Sequence, residues 1–154
     1  MWKDISDGVK FLTIAANTKN EALWAVSRKR HQSGAGYQIF SYSDGEWIED
    51  KSQPKGAGYN TDGIAVDPLG NPAFAAYDPA FNSPRHIHYK LASNWMEMKV
   101  CTYGVAFGSD GTLYRQDCNY VLHQYYLERR EWVQLGTKKV QKFAAGENGL
   151  WIIE

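Results

Sequence analysis

The chain has 154 residues, and its 17 basic and 17 acidic side chains cancel. A chain of this length is one ordinary domain that can bury its own core, while balanced charge argues against a nucleic-acid partner and against a polybasic membrane anchor. No segment approaches the roughly 18 consecutive apolar residues of a spanning helix, so membrane insertion is not expected, and the opening residues Met1, Trp2, Lys3 and Asp4 lead into no apolar run that would read as a secretory signal.

Six Trp, ten Tyr and six Phe beside fourteen Gly favour short strands and many turns. No long window carries a 3.6-residue apolar period, so no helix is predicted. In chain order, a segment around Trp2 comes first. A small-apolar strand over 13–17, a turn over 18–21 and an aromatic strand over 22–26 follow. A long loop over 28–36 then leads to a strand over 37–43, the Asp44-Gly45 turn and a strand holding Trp47. The second unit places strands over 63–67 and 72–76 around a turn at 68–71. It continues through a long loop at 78–85, a strand over 86–92 and the Trp95 strand. The third has strands over 104–108 and 112–115 around Asp110-Gly111, a strand over 120–128 and the Trp132 strand. The fourth has strands over 142–146 and 149–153 joined by Glu147, Asn148 and Gly149. Asp-Gly and Asn-Gly pairs tolerate the positive φ that a tight hairpin demands.

A unit of roughly forty residues therefore recurs three times plus a fraction. Each complete unit is a four-stranded antiparallel meander, inner strand to outer strand, which is the form of one propeller blade. Ala15, Ala16, Ala65, Ala106, Ala144 and Ala145 suit inner strands that converge on an axis. One blade cannot bury both of its faces, so neighbours must stack on it. The expected fold is all-β: a β-propeller of about four blades in a single domain over 1–154, with units at about 3–50, 51–99, 100–137 and 138–154 plus 1–5. The last blade is incomplete in this chain. The N-terminal strand closes it, a partner closes it by strand addition, or the chain is a piece of a longer protein. The first two are favoured, because an unpaired edge invites partners.

The segments from Gly104 to Tyr114 and from Lys142 to Trp151, the latter preceded by Trp132, each join a small-apolar strand, a Gly-containing turn and a strand with Leu before an aromatic residue. In these segments the chain resembles the tectonin repeat family. Units one and two depart from that pattern, since the turn at 18–21 lacks Gly and two loops run long. The resemblance implies a β-propeller lectin that binds a glycan or glycoconjugate, in a family whose members often lack enzymatic activity and sometimes act in cell-surface or innate-immune recognition. An extracellular or cell-surface setting is slightly favoured over the cytoplasm. The alternative is a structural or assembly subunit, a homo-oligomer joined into a ring or filament through its open edge.

No nucleophile elbow, phosphate-cradling loop or zinc-helix motif is present, so neither enzymatic activity nor a cofactor is expected. Asp44, Asp67, Asp110 and Glu147 read as caps of their own turns. His86 and His88 share one strand face, and His123 follows one unit later. Third strands of neighbouring blades splay apart, so no metal site is assigned. Cys101 and Cys118 bracket the first hairpin of unit three and are near neighbours across its strands, so two reduced, part-buried thiols are the default reading and a disulfide is geometrically possible. A disulfide would place the protein outside the cytosol. The basic cluster from Arg28 to His31 reads as a solvated loop. The recurring Trp24, Phe74, Tyr114 and Trp151, like Trp2, Trp47, Trp95 and Trp132, read as packing between blades. Tyr59, Tyr77 and Phe81 do not recur and lie in or beside long connections, where binding residues concentrate. With Asn60, Asp62, Asp78 and Asn82 as polar companions, they are the candidate ligand contacts, because aromatic rings stack on the apolar C–H faces of sugars.

Overall fold

Fourteen strands and no helix occur among the described residues, 8–17, 19–32, 36–54, 64–76 and 85–154, of the computed structural model. The first sheet holds β1 (Phe11–Asn17), β2 (Ala22–Arg30), β3 (Tyr37–Ser43) and β4 (Glu46–Glu49). The second holds β5 (Ile64–Val66), β6 (Pro72–Ala76), β7 (His86–Leu91) and β8 (Asn94–Met98). The third holds β9 (Thr102–Phe107), β10 (Leu113–Asp117), β11 (Leu122–Tyr126) and β12 (Glu131–Gln134), and the fourth pairs β13 (Lys142–Gly146) with β14 (Gly149–Ile153). Strands follow chain order within every sheet, and neighbouring strands are antiparallel.

Local chemistry explains the turns. Asp67 accepts the backbone N–H groups of Leu69 and Asn71, each at 2.8 Å, while Gly70 takes a φ of 91°. The turn after β9 repeats this closure, with Gly111 at 87° and Asp110 accepting the Thr112 N–H at 2.9 Å. Turn carboxylates here satisfy backbone donors that a tight bend would leave without partners. Asp44 and Gly45, at φ 53° and 89°, make the two-residue hairpin between β3 and β4.

The first strands of successive sheets, β1, β5, β9 and β13, lie beside one another. Small residues permit this approach: a Cβ on Gly104 would sit 3.2 Å from the Phe143 ring. At one end of the sheets, the first hairpin turns interlock. Lys19 Nζ donates to the Ser109 carbonyl at 2.6 Å, Asn20 Nδ2 to the Pro68 carbonyl at 2.9 Å, and Trp24 Nε1 to the Gly70 carbonyl at 2.9 Å. Gly70 is doubly required there, by its φ and because a Cβ would meet Ala22 at 3.3 Å.

The second sheet is covered on both sides. Val66 and Phe74 join Trp24, Val26 and Ile39 of the first sheet in one core cluster. Ala65, Ala73 and Ile87 join Val105, Phe107 and Leu113 of the third sheet in another. Consecutive strand residues face opposite ways, so Ala65-Val66 and Ala73-Phe74 each divide between the two clusters. This is why all of β6 is buried. Trp95 and Trp132 pack against these clusters from the outer strands, as packing residues between sheets should.

Two sequence expectations change, and Lys90 adds a feature that the sequence reading did not address. Arg28, Lys29 and Arg30 belong to β2 rather than to a loop, since the Arg28 N–H donates to the Lys10 carbonyl at 2.8 Å and Arg30 pairs with Tyr37 beyond a register shift. Trp151 occupies the recurring aromatic position of the fourth sheet, yet it is 68% exposed whereas Phe74 is fully buried. Lys90 stands at the register position that Tyr125 takes in the third sheet, each opposite its strand's Trp. Instead of lining an open gap, Lys90 pairs with Asp50 and lies over the Trp24 and Trp95 rings at 5.3 and 5.6 Å.

The Asp50 side chain is only 7% exposed. Burial pushes its carboxyl up, but hydrogen bonds from Lys90 and Ser52 outweigh that and hold it below the usual carboxylate range. A depressed folded value stabilises above the unfolded pKa, and that stability disappears as pH falls through the folded one. Asp50→Asn is expected to cost about 1–3 kcal/mol at pH 7 and less at pH 3, as read by urea unfolding at both pH values. An equal cost at both would show that the charge of Asp50 contributes nothing.

Cys101 and Cys118 are joined as a disulfide, with Cα atoms 5.5 Å apart. The β9–β10 register keeps Gly104 opposite Gln116 and then shifts, setting Thr102 opposite Asp117. That irregularity brings the two cysteines, one residue further out on each strand, face to face.

Candidate functional site

A cleft of about 650 Å³ lies between the second and third sheets, at the end where the β9–β10 and β11–β12 turns emerge. Its floor is apolar, with Met96 and Met98 from β8 and Phe107 from β9. Tyr89 stands against Phe107, ring centroids 5.3 Å apart. The Tyr89 hydroxyl donates to Asp67. Burial and that carboxylate push the phenol well above its usual pKa, so Tyr89 stays neutral and presents its ring.

The opposite wall is β11. Tyr125 packs on Trp132 with centroids 5.0 Å apart and faces the second sheet, while the side chains of Gln124 and Tyr126 alternate to the other face of the strand. The Arg129 guanidinium lies 4.8 Å over the Tyr126 ring and pairs with Glu131 at 2.9 Å on the exposed rim. Asp110 at the mouth is held below the usual carboxylate range, first by the Thr112 backbone N–H and then by the Thr112 hydroxyl. The cleft thus combines flat aromatic faces with a carboxylate and a hydroxyl at its mouth, Asp110 and Thr112, which suits a small ligand with both apolar and hydroxyl-rich sides.

The candidate contacts Tyr59, Asn60, Asp62, Tyr77, Asp78, Phe81 and Asn82 all lie outside the described residues, as does Trp2. Asp67 and Asp110 cap turns as expected. His86 pairs with Glu97 and His123 with Asp117, each at 2.9 Å. Burial lowers the pKa of His88. Among the described residues, no three His, Cys, Asp or Glu side chains are grouped so as to hold a metal ion. Sequence reading missed the cleft because its walls come from Tyr89 and Tyr125, which share no local motif; the one available signal was the tyrosine pair at 125–126 inside a predicted strand.

Antiparallel sheets stacked side by side with small inner strands define an all-β protein of propeller type. No protein-family model and no curated protein matches the sequence. Among solved structures, the chain is similar to a luciferin-regenerating enzyme, with a TM-score of 0.52 and 14% identity over 90% of this chain. This chain spans about half of that enzyme, 52% of its length. It is also similar to a fucose lectin from Kordia zhangzhouensis, solved with methyl-fucoside, at a TM-score of 0.46 and 11% identity over 82% of this chain and 98% of the lectin. At that score the second superposition is too loose to define the architecture. The expectation of no enzymatic activity is corrected by the first: an enzyme is built on this architecture, and a fold hosts many functions, so missing sequence motifs cannot exclude catalysis.

Proposed function

We propose that this chain is a tectonin-like β-propeller module of about four blades that binds glycans in the cleft between its second and third sheets. The observation that carries this reading is the Tyr125 ring, packed on Trp132, facing Tyr89 and Phe107 across the cleft, with the Asp110 carboxylate and Thr112 at its mouth. A pyranose offers an apolar face to such rings and hydroxyls to such polar groups. A cleft this open implies a weak single site, strengthened by repetition when the ligand is presented in many copies.

A glycan array followed by NMR titration of the best hit tests this. Tyr125→Ala is expected to weaken binding by about tenfold, or about 1.4 kcal/mol, while Tyr125→Phe, which keeps the stacking ring, should hold both binding and the unfolding midpoint. No glycan bound, or binding indifferent to Tyr125→Ala, would overturn it.

A second reading, an assembly subunit, is favoured by the fourth sheet. Its last strand β14 exposes Trp151, Ile152 and Ile153 at 68%, 45% and 61%. Among the described residues β14 is the edge of its sheet, and an apolar edge strand of this kind pairs readily with another chain. Light scattering should then show association that Ile152→Lys reduces. A monomer at high protein concentration would remove this reading.

A further inference from the structure

The sheet ends opposite the cleft carry a second cavity of about 330 Å³, lined by Arg85, Tyr103, Gln116, Tyr120, Lys142 and Phe143 among others. Tyr103 and Tyr120 stack with centroids 5.2 Å apart and planes 20° from parallel. The Arg85 guanidinium lies 4.7 Å over the Tyr103 ring. Among the described residues, its charged lining residues are both cations and no carboxylate lines it.

Tyr120 is the informative residue. The turn from Asp117 to Val121 closes like the turns 67–71 and 108–112: the fourth residue donates its N–H to the carbonyl of the first. In two sister turns that fourth residue is glycine, Gly70 at φ 91° and Gly111 at 87°, and in the turn from Leu127 it is Arg130 at 51°. Here it is Tyr120 at 67°, in the left-handed region that a side chain disfavours. The side chain is 46% exposed, so burial does not repay that conformation. The turn is nevertheless held firmly, by the disulfide at Cys118 and by the Val140 N–H donating to the Tyr120 carbonyl at 2.8 Å. A half-exposed ring held rigidly at a cavity, one face stacked on Tyr103 and the other open, is a ready surface for a ligand to stack on.

We propose that this cavity is a binding site for a six-membered-ring ligand bearing a carboxylate or sulfate, the chemistry of an acidic sugar residue. The ring stacks on Tyr120, and Arg85 and Lys142 meet the anionic group. The site shares no residue with the cleft between the second and third sheets and does not depend on what that cleft binds.

Titration of the whole chain with glucuronate, glucose 6-sulfate, glucose and inorganic sulfate, followed by NMR of the tyrosine rings, tests it. Glucuronate or glucose 6-sulfate is expected to shift Tyr103 and Tyr120, and which of them binds more tightly names the anionic group. Arg85→Ala should weaken that binding by about tenfold, and added salt should weaken it further. Tyr120→Gly should abolish it while holding or raising the unfolding midpoint, because two sister turns carry glycine there. Tyr125→Ala should leave it unchanged. The proposal is overturned if neither charged sugar shifts these rings, if glucose or inorganic sulfate alone does so equally, or if Tyr120→Gly still binds.

Discussion

Phe74→Ala is expected to lower the stability of this chain by about 3–5 kcal/mol, the range for emptying a fully buried aromatic site. Phe74 has no exposed surface and stands where the first and second sheets meet. Trp24, Val26, Ile39 and Val66 surround it, and Trp95 lies against it with ring centroids 5.4 Å apart. Alanine would remove the side chain that joins the two sheets, and β6, held on both faces, has little freedom to collapse into the gap. Since native domains are stable by only about 5–15 kcal/mol, this one change would consume much of the total. Urea unfolding should show a lower midpoint with an unchanged slope. Phe74→Leu, which keeps most of the volume, should lose clearly less. A loss below about 1 kcal/mol for the alanine variant would mean that the two sheets do not share a core.

The paired change Cys101→Ala with Cys118→Ala is expected to cost about 3 kcal/mol, because the bond closes a loop of 17 residues and restricts the unfolded chain. The native register would survive, since β9 and β10 still pair from Thr102 to Asp117 without it. The loss should therefore appear as a lower unfolding midpoint with little change in backbone signals, except near Tyr103 and Tyr120. Reduction of the wild-type protein should add the mass of two hydrogens and give the same destabilisation. Equal stability in oxidised and reduced protein would contradict it.

Much of the strand order is legible locally. Asp-Gly and Asn-Gly pairs place hairpins at 44–45, 110–111 and 148–149, because the positive φ each turn needs falls on its Gly, and at 44–45 on Asp44 as well. Asp67 and Asp110 announce their capping role through residues two to four positions away. The recurrence of small strand, turn and aromatic strand makes four sheets predictable, and the same counting places Cys101 near Cys118. The run from Arg28 to Arg30 misleads, because three consecutive cations resemble a solvated loop. Backbone pairing with Lys10 and Tyr37 nevertheless carries them as strand, with their side chains in water.

What the sequence determined by itself is therefore the unit: strand, turn, strand, and the residues that let each hairpin bend, all written within a few positions of one another. Only the tertiary structure decided which face of the second sheet meets which neighbour. It also decided that Lys90 seals one gap while Tyr125 lines the next, that Trp151 is left in solvent, and that a strained Tyr120 stands beside Arg85. The physical reason is range. Turn chemistry acts between adjacent peptide groups, whereas a cleft is made by side chains far apart in the chain, whose meeting depends on how whole sheets stack.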